Sequence, residues 1–416
     1  MTRIGTVMLC GSLASGLSAC ASDLGDDDLE LTPVEEWTAE PEYEFGDQME
    51  GDALFGQIRD VRPAADGSRI YVLDAQSVEV TIWTPDGTLT RRVGGRGEGP
   101  GEFSRPGTLF LFDDRFQVGD NGLYRYTTFT LDGEVVGTEG FPSGVGPVEP
   151  GMDIATLQRV FTQFQVFAMF DDGSVGALGM PPWTMAGEMP EEEAPAVAVL
   201  RASQEGGDWG LDTLGLLSFR DVFTLLPHPK YGDIRIPQPW IPPDHFQMDP
   251  WNGSVVISSS LRAQPGVLQL IEVSTADDTL WTRRVRLPPI PVTEDDIEAA
   301  VDERAPFLGA DPEDSTAPLL LKRAIRNAFI IPDHWPATRE IRLMSNGEIW
   351  FRPAGHANPG MWHAARKGDD EGPIRSVVLP ERFGPMDVTA THVWGVRRDE
   401  LEVQYVVGLR LERVGG

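Results

Sequence analysis

Residues 94–103 read GGRGEGPGEF and are followed by Arg105 and Pro106. Glycine-rich loops can bind phosphate, but that chemistry needs a Gly-Lys-Ser/Thr motif or a helix that opens at the loop, and the sequence predicts neither here. The glycines therefore indicate a tight turn. Segments with the same pattern of short β-branched and aromatic runs lie on either side, at residues 58–93 and 106–141. The turn is thus the junction between two repeated units.

The repeated units carry hairpin signals. Asp-Gly and Asn-Gly pairs favour two-residue turns between antiparallel strands. They occur at Asp66-Gly67, Asp86-Gly87, Asp132-Gly133, Asp172-Gly173, Asn252-Gly253 and Asn346-Gly347. With these turns, residues 58–93 form four consecutive antiparallel strands, which make one blade of a β-propeller. Further units are expected at about 106–141, 164–219, 246–287, 340–379 and 386–411.

The junction resembles that of NHL repeats, in which a glycine-rich turn ending in Gly-Pro-Gly-Glu-Phe leads into a proline and the inner strand of the next blade. The chain is also similar to bacterial six-bladed β-propeller lipoproteins with NHL-like or TolB-like blades. The resemblance rests on residues 94–106, and the other blades match by pattern only. It implies an all-β fold, a six-bladed β-propeller.

The last unit is one strand short. Residues 386–411 provide three strand runs, whereas a closed ring has no free strand edge, so another segment has to supply the fourth strand. Residues 36–45 precede the first complete unit and can do so. The sequence therefore predicts a propeller closed by an N-terminal strand that completes the last blade.

A helical insert is predicted between the fourth and fifth units, at about residues 293–331. Thr293 is a suitable N-cap for the first helix, which starts with an acidic turn. Pro318 opens the second helix, whose apolar residues share one face. The pair either packs over a long connection or acts as a lid, and the sequence leaves both open.

The first twenty residues predict export. Arg3 precedes an apolar stretch that is too short to span a bilayer, as in a secretory signal peptide. Residues 17–20 resemble the lipobox of bacterial lipoproteins, which implies lipidation of Cys20 and, with Ala21 after it, an outer-membrane location on the periplasmic or surface face. An ordinary cleaved signal is the alternative. Residues 21–35 are acidic and predict a flexible tether, so the propeller would occupy residues 36–416.

The chain is strongly acidic. It has 65 Asp and Glu residues against 34 Lys and Arg, a formal net charge of −31. Nucleic-acid binding depends largely on Lys and Arg that neutralise phosphates, so nucleic acid is excluded as a partner. The expected partners are the lipid bilayer, reached through acylated Cys20, and an unknown small molecule, glycan, peptide or envelope protein.

Ligand-binding residues are expected on one face of the propeller. The connections between blades and the loops between second and third strands emerge there, around the mouth of the central channel, together with the Pro- and Trp-rich segment 227–251. The candidate residues on this face are Asp74, Arg96, Asp120, Trp240, His356 and Arg397. Asp74 and Asp120 hold equivalent positions at the ends of second strands, where a carboxylate more often caps the local backbone.

The sequence contains no recognisable catalytic signature. There is no Gly-x-Ser-x-Gly motif, and the six histidines lack the spacing of zinc sites. No catalytic residue, metal ligand or cofactor is therefore assigned, and a calcium or zinc ion at the channel mouth is left open. The leading hypothesis is an envelope-anchored binding protein that uses the channel mouth. The alternatives are a metal-dependent lyase or hydrolase, gluconolactonase-like or NHL-lyase-like, and a structural scaffold of an envelope complex.

Overall fold

A computed structural model describes residues 29–46, 54–140, 163–180, 196–205, 208–219, 221–228, 232–261, 263–275, 278–305, 317–355 and 360–415. Cys20, His356 and the signal segment lie outside these ranges, so the predictions made for them stay predictions.

The described strands form six four-stranded blades, and one further hairpin stands apart from them. The chain begins with β1 (Val34–Phe45). The first three blades consist of β2 (Ile58–Pro63), β3 (Ile70–Asp74), β4 (Glu79–Trp83) and β5 (Leu89–Gly94); β6 (Pro106–Leu111), β7 (Arg115–Asp120), β8 (Arg125–Thr130) and β9 (Val135–Gly140); and β10 (Gln163–Met169), β11 (Val175–Met180), β12 (Ala196–Glu205) and β13 (Asp208–Ser218).

Two insertions interrupt the second half of the ring. A hairpin, β14 (Phe223–His228) and β15 (Gly232–Pro237), separates the third blade from the fourth, and helices α1 (Glu294–Arg304) and α2 (Ala317–Ala328) separate the fourth from the fifth. The last three blades contain β16 (His245–Asp249), β17 (Ser254–Ser260), β18 (Val267–Thr275) and β19 (Asp278–Arg286); β20 (Glu340–Leu343), β21 (Glu348–Arg352), β22 (Met361–Arg366) and β23 (Ile374–Val378); and β24 (Phe383–Val388), β25 (His392–Arg398) and β26 (Gln404–Arg413).

Strand β1 closes the ring. From Trp37 to Phe45 it pairs antiparallel with β26 and so forms the outermost strand of the sixth blade. The predicted closing strand at residues 36–45 is confirmed, and it begins earlier, at Val34. Beyond the prediction, residues 34–37 also pair in parallel with β23 of the fifth blade. The fifth and sixth blades therefore form one eight-stranded sheet, and the N-terminal strand stabilises both.

Apolar side chains pack between neighbouring blades. Tyr71 of the first blade contacts Phe116 of the second, with ring centroids 5.2 Å apart. Phe167 of the third blade lies edge-on to Phe246 of the fourth, also at 5.2 Å. Burial of a side chain such as Phe116 contributes roughly 1.5–3 kcal/mol to the stability of the fold. Each blade therefore depends on both of its neighbours.

The hairpin and the helices pack together on one face. Both insertions leave from the end of an outer strand and return to the start of an inner strand, which is the face that also carries the junction at residues 94–103. Their shared apolar core consists of Leu226, Ile236, Trp240, Ile297, Ala300, Val301, Ile325 and Phe329. We call this unit, formed by the described residues of 221–241 and 292–335, the cap, and the face beneath it the capped face.

Both helices lie within the predicted insert. Thr293 caps α1 as expected, because the Asp296 N–H donates to its Oγ1 at 3.3 Å and the Thr293 N–H donates to the Asp296 carboxylate at 2.8 Å. The sequence pattern does not predict the hairpin, since prolines at positions 227 and 237 interrupt the run of strand-forming residues. The Pro- and Trp-rich segment thus contributes half of a folded cap.

Candidate functional site

The end of the central channel opposite the cap is obstructed. Trp251 lies in the turn after β16, and its Nε1 donates to the carbonyl oxygen of Leu111 in the second blade at 2.8 Å. The third blade lies between these two residues in the ring, so the hydrogen bond crosses the channel. The guanidinium of Arg62, from the first blade, lies 5.9 Å from the same indole ring. These contacts join the first, second and fourth blades at the end of the channel opposite the cap.

Arg62 is the charged part of this obstruction. It forms ion pairs with Asp60 at 3.0 Å and with Asp387 of the sixth blade at 3.3 Å, and its Nε donates to the carbonyl oxygen of Leu109 at 3.1 Å. Burial alone would lower the pKa of Arg62, but the two carboxylates raise it above its ordinary value. Arg62 therefore stays charged and joins the first, second and sixth blades.

Asp74 and Asp120 bind backbone amides. Asp74 accepts hydrogen bonds from the N–H groups of Gly56 and Gln57 at 2.7 and 2.9 Å. Asp120 accepts from those of Ser104 and Arg105 at 2.6 and 3.0 Å. Both carboxylates are buried and hold the connection that enters the inner strand of their blade. This geometry supports the turn-bonding interpretation and leaves neither side chain free for a ligand.

The glycine-rich junction is a tight turn. The Phe103 N–H donates to the carbonyl oxygen of Gly95 at 2.8 Å, and the Gly97 N–H donates to that of Phe103 at 3.0 Å. Gly94 has φ +105°, and a Cβ there would lie 2.5 Å from the buried Phe103 ring, so only glycine fits. Arg96 is exposed on this turn and forms no ion pair with any described residue.

Trp240 and Arg397 have structural partners. Trp240 is 3% exposed in the core of the cap, edge-on to Phe329 at 5.8 Å. Arg397 forms an ion pair with Glu44 of the closing strand at 2.6 Å, and its guanidinium stacks over Tyr405 at 4.5 Å. Each side chain stabilises the fold through these contacts. The sequence did not predict the contacts, because Phe329 and Glu44 are distant from Trp240 and Arg397 along the chain.

The candidate residues do not form one site. Arg96 lies between the first and second blades, Trp240 in the cap and Arg397 in the sixth blade. No hydrogen bond, ion pair or ring contact joins any two of them in the part of the chain that the structure describes. A site at the capped face therefore has to be built from other residues.

Two cavities lie where the cap meets the propeller. The first, of about 340 Å³, is lined by Trp240, Ser260 and Leu261 among others. The second, of about 400 Å³, is lined by Asp296, Glu303, Arg304, Arg339 and Ala354 among others. Both share a wall formed by Pro242, Trp335 and Pro336.

Trp335 is fixed between the two cavities. Its Nε1 donates to the Asp296 carboxylate of α1 at 3.2 Å, and its ring lies edge-on to Trp240 at 6.0 Å. The indole is partly exposed, so one part of it packs in the cap and another faces open space. Sequence reasoning missed Trp335, because its position beside the fifth blade follows from the packing of the cap.

A third cavity, of about 320 Å³, lies between the fifth and sixth blades on the same face. It is lined by Arg352, Gly360, Trp362, Pro380, Glu381, Arg382 and Phe383. The Arg382 guanidinium donates to the carbonyl oxygen of Asp399 at 2.6 Å and is therefore tied to the sixth blade. The capped face thus carries three neighbouring cavities above the fourth, fifth and sixth blades.

The described histidines are not arranged as metal ligands. Burial against Phe351 lowers the pKa of His363 to about 4, and burial also lowers the pKa of His245. Within the described residues, no group of three or more His, Cys, Asp or Glu side chains is placed to hold a metal ion. The described helices include none that is long and apolar enough to cross a membrane.

Comparisons with known proteins bear on the fold. No curated protein matches the sequence. A solved structure described as a "Putative exported protein" from Bacteroides fragilis NCTC 9343 is 8% identical, with 91% of this chain and 100% of that chain covered and a TM-score of 0.42. A member of the DUF4221 family from Bacteroides vulgatus ATCC 8482 is also 8% identical, with 91% and 99% covered and a TM-score of 0.45.

A "putative gluconolactonase" is 11% identical, with 91% and 100% covered and a TM-score of 0.36. Likenesses this weak carry no functional argument. The sequence match is more informative about architecture, because it falls on the first two blades and the junction between them. Over residues 49–145 the chain is similar to DUF5128, a family described as a 6-bladed beta-propeller, and the strand arrangement confirms that the fold is a six-bladed β-propeller.

Proposed function

We propose that this chain is an extracytoplasmic binding protein, lipid-anchored through Cys20, that holds its ligand on the capped face. The export signal and the lipobox-like residues support the location. The observation that carries the binding role is the pair of cavities of about 340 and 400 Å³ that share the wall of Pro242, Trp335 and Pro336.

The chemistry of these cavities suits a small ligand or the end of a larger one. Ligand sites commonly combine apolar and aromatic walls with a few polar groups that fix orientation. Here the indole of Trp335 provides a flat surface on which a sugar ring or an apolar side chain can stack. The side chains of Trp251 and Arg62 meet at the opposite end of the channel, which favours the capped face as the end where a ligand binds.

The experiment is a thermal-shift screen on the chain without its first twenty residues. The probes are neutral oligosaccharides, galacturonate and short peptides. A ligand that binds only the folded state raises Tm, so at least one probe is expected to stabilise the parent. Trp335→Ala should abolish that shift. Arg96→Ala should keep it, because Arg96 is exposed on the same face but lies outside the cavities.

Two results would contradict the proposal. One is that no probe in the panel shifts the Tm of the parent. The other is that the Tm of Trp335→Ala rises with the probe as much as that of the parent. Trp335→Phe, which keeps an aromatic ring, is included to separate loss of the cavity wall from damage to the cap. One tightly held calcium or zinc ion per chain in elemental analysis would instead favour the metal-dependent lyase or hydrolase.

A further inference from the structure

Large apolar side chains are exposed at both ends of helix α2. Leu319 and Leu320, in its first turn, are 73% and 60% exposed, and Ile330 and Ile331, just after the helix, are 49% and 41% exposed. The inward side of the helix packs separately, because Ile325 is fully buried in the cap core. These four exposed residues, which we call the apolar edge, therefore add little to the packing of the cap.

The outer side of α2 is also basic. The helix contains Lys322, Arg323 and Arg326 and no acidic residue. Lys322 and Arg326 form ion pairs with α1, both at 2.6 Å, whereas Arg323 is exposed and forms no ion pair with any described residue. Such a helix is unusual in a chain with a net charge of −31. Apolar residues combined with Lys and Arg are typical of helices that lie on a lipid headgroup layer.

The residues before β1 are fixed at the outer edge of the fourth blade. The Thr32 N–H donates to the carbonyl oxygen of Arg286 at 2.9 Å, and the Arg286 N–H donates to the Thr32 Oγ1 at 3.0 Å. The Arg286 guanidinium also donates to the carbonyl oxygen of Leu29. Because Arg286 is the last residue of β19, the segment is held where the chain leaves this strand for the cap.

This attachment point lies close to the apolar edge. The N–H of Leu287, the residue after β19, donates to the carbonyl oxygen of Gly266 at 2.9 Å. Gly266 and Ile330 line the same cavity, of about 340 Å³. One hydrogen bond and the width of one cavity therefore lie between the end of β19 and the apolar edge. Leu31, in the attached segment, is itself 56% exposed.

The predicted lipid anchor is near this point along the chain. An extended chain covers roughly 3.3–3.6 Å per residue, so residues 21–28 keep Cys20 within about 30 Å of Leu29. A bilayer that holds an acyl chain on Cys20 is therefore brought to the part of the molecule that exposes the apolar edge. A tethered surface meets the bilayer at a high effective concentration, so weak apolar contacts suffice for docking.

We infer that the cap docks on the bilayer that holds the lipid of Cys20, with the apolar edge inserted between the headgroups and Arg323 beside their phosphates. This inference rests on the lipid anchor in the proposed function and adds to it the orientation of the propeller. The capped face then points towards the membrane, and a ligand in its cavities is bound close to the bilayer surface.

The test uses the chain from Cys20 onwards, in which Cys20 is the only cysteine. Its thiol is coupled to a maleimide-bearing lipid in vesicles of phosphatidylethanolamine and phosphatidylglycerol, which also contain a phosphatidylcholine with a diazirine in its acyl chain. After irradiation, mass spectrometry identifies the peptides that carry lipid. We expect cross-links in residues 317–331, besides those next to the anchor in residues 20–31.

Leu319→Gln/Leu320→Gln should lower the cross-linking yield of residues 317–331 roughly tenfold, because two apolar contacts with lipid are lost. Its cross-links near Cys20 should persist, and its Tm should equal that of the parent, since both side chains are exposed. The matched control is Val135→Gln/Val136→Gln, an exposed apolar pair on the second blade. This variant should give the same cross-links as the parent.

Two results would overturn the docking inference and leave the proposed function standing. One is that the cross-links of the parent are confined to residues 20–31. The other is that α2 is cross-linked equally in the parent and in Leu319→Gln/Leu320→Gln. A parent that dimerises when it is coupled to a soluble maleimide, together with a monomeric variant and no α2 cross-links on vesicles, would assign the apolar edge to a second copy of the chain.

The anchor itself is tested separately. The chemical coupling replaces acylation, so the cross-links do not depend on whether the cell modifies Cys20. Intact mass of the protein expressed with its signal segment should show an acylated Cys20. A mass without an acyl chain would overturn the lipid anchor in the proposed function, whatever the cross-links on vesicles show.

Discussion

Single buried carboxylates fasten the connections between blades. Asp120 is fully buried and accepts four backbone hydrogen bonds, from Ser104, Arg105, Gly122 and Leu123. In Asp120→Ala these amides lose their acceptor, and buried donors left without a partner are costly. We expect this change to lower the free energy of unfolding by about 2–4 kcal/mol, measured by urea denaturation.

The matched control is Asp132→Ala in the same blade. Asp132 is 74% exposed and forms a surface ion pair with Arg69 at 2.7 Å, an interaction worth about 0–1 kcal/mol. If both substitutions lower the free energy of unfolding by the same amount, the anchoring role assigned to Asp120 is wrong.

Glu42 makes the stability of the closing strand depend on pH. Its carboxylate accepts from Arg410 at 2.7 Å and lies 2.9 Å from the His392 Nε2, and these partners, Arg410 first, lower the pKa of Glu42 to about 2. A carboxyl group whose pKa falls on folding stabilises the folded state above its unfolded value of 4.5, and this contribution is lost as pH falls towards 2. Over that range, the Tm of the parent should fall more steeply than that of Glu42→Gln in circular dichroism melts.

Glu40→Gln provides the comparison for this pH series. Glu40 lies on the same strand and pairs across to β26, and its exposed side chain makes no hydrogen bond or ion pair with any described residue. The Tm of this variant should follow that of the parent between pH 4.5 and 2. A Glu42→Gln variant that loses Tm as steeply as Glu40→Gln would contradict the assignment.

At the scale of elements, the cap should unfold separately from the blades. Phe329 lies in the cap core, 8% exposed, and this core is distinct from the clusters between blades. Phe329→Ala is expected to lower the free energy of unfolding of the cap by about 3–4 kcal/mol. Because the loss is local, amide hydrogen exchange should rise in α1, α2, β14 and β15 while the blade strands keep their protection.

The contrasting variant is Phe116→Ala, which removes a fully buried ring from the interface of the first two blades. Here exchange should rise across the propeller, since each blade depends on its neighbours. If Phe329→Ala raised amide hydrogen exchange equally in all six blades, the cap and the propeller would unfold as one unit.

For the whole molecule, the ring could be predicted because its signals are local. Turns such as Asp86-Gly87 and Asp132-Gly133 fix hairpins within a few residues, and the short last unit requires a closing strand. The cavities could not be predicted, because the second one is lined by Pro239, Asp296 and Ala354, which only the packing of the cap brings together. The contacts of Trp240 with Phe329 and of Arg397 with Glu44 could not be predicted either, because both partners are distant in sequence.

Ring closure depends on contacts between the two ends of the chain. Deleting residues 29–45 removes β1, leaves the edges of β26 and β23 unpaired, and removes Phe45, which is buried against Trp83 of the first blade at 5.0 Å. Lost strand pairing and lost apolar burial act in the same direction, so calorimetry should show a Tm lower by roughly 10 °C or more. Deletion of residues 21–28 alone should leave Tm unchanged.

A peptide of residues 29–46, added to the truncated protein, should restore part of the lost Tm by adding the missing strand. A truncated protein with the same Tm as the parent would show that the blade interfaces hold the ring together without its closing strand.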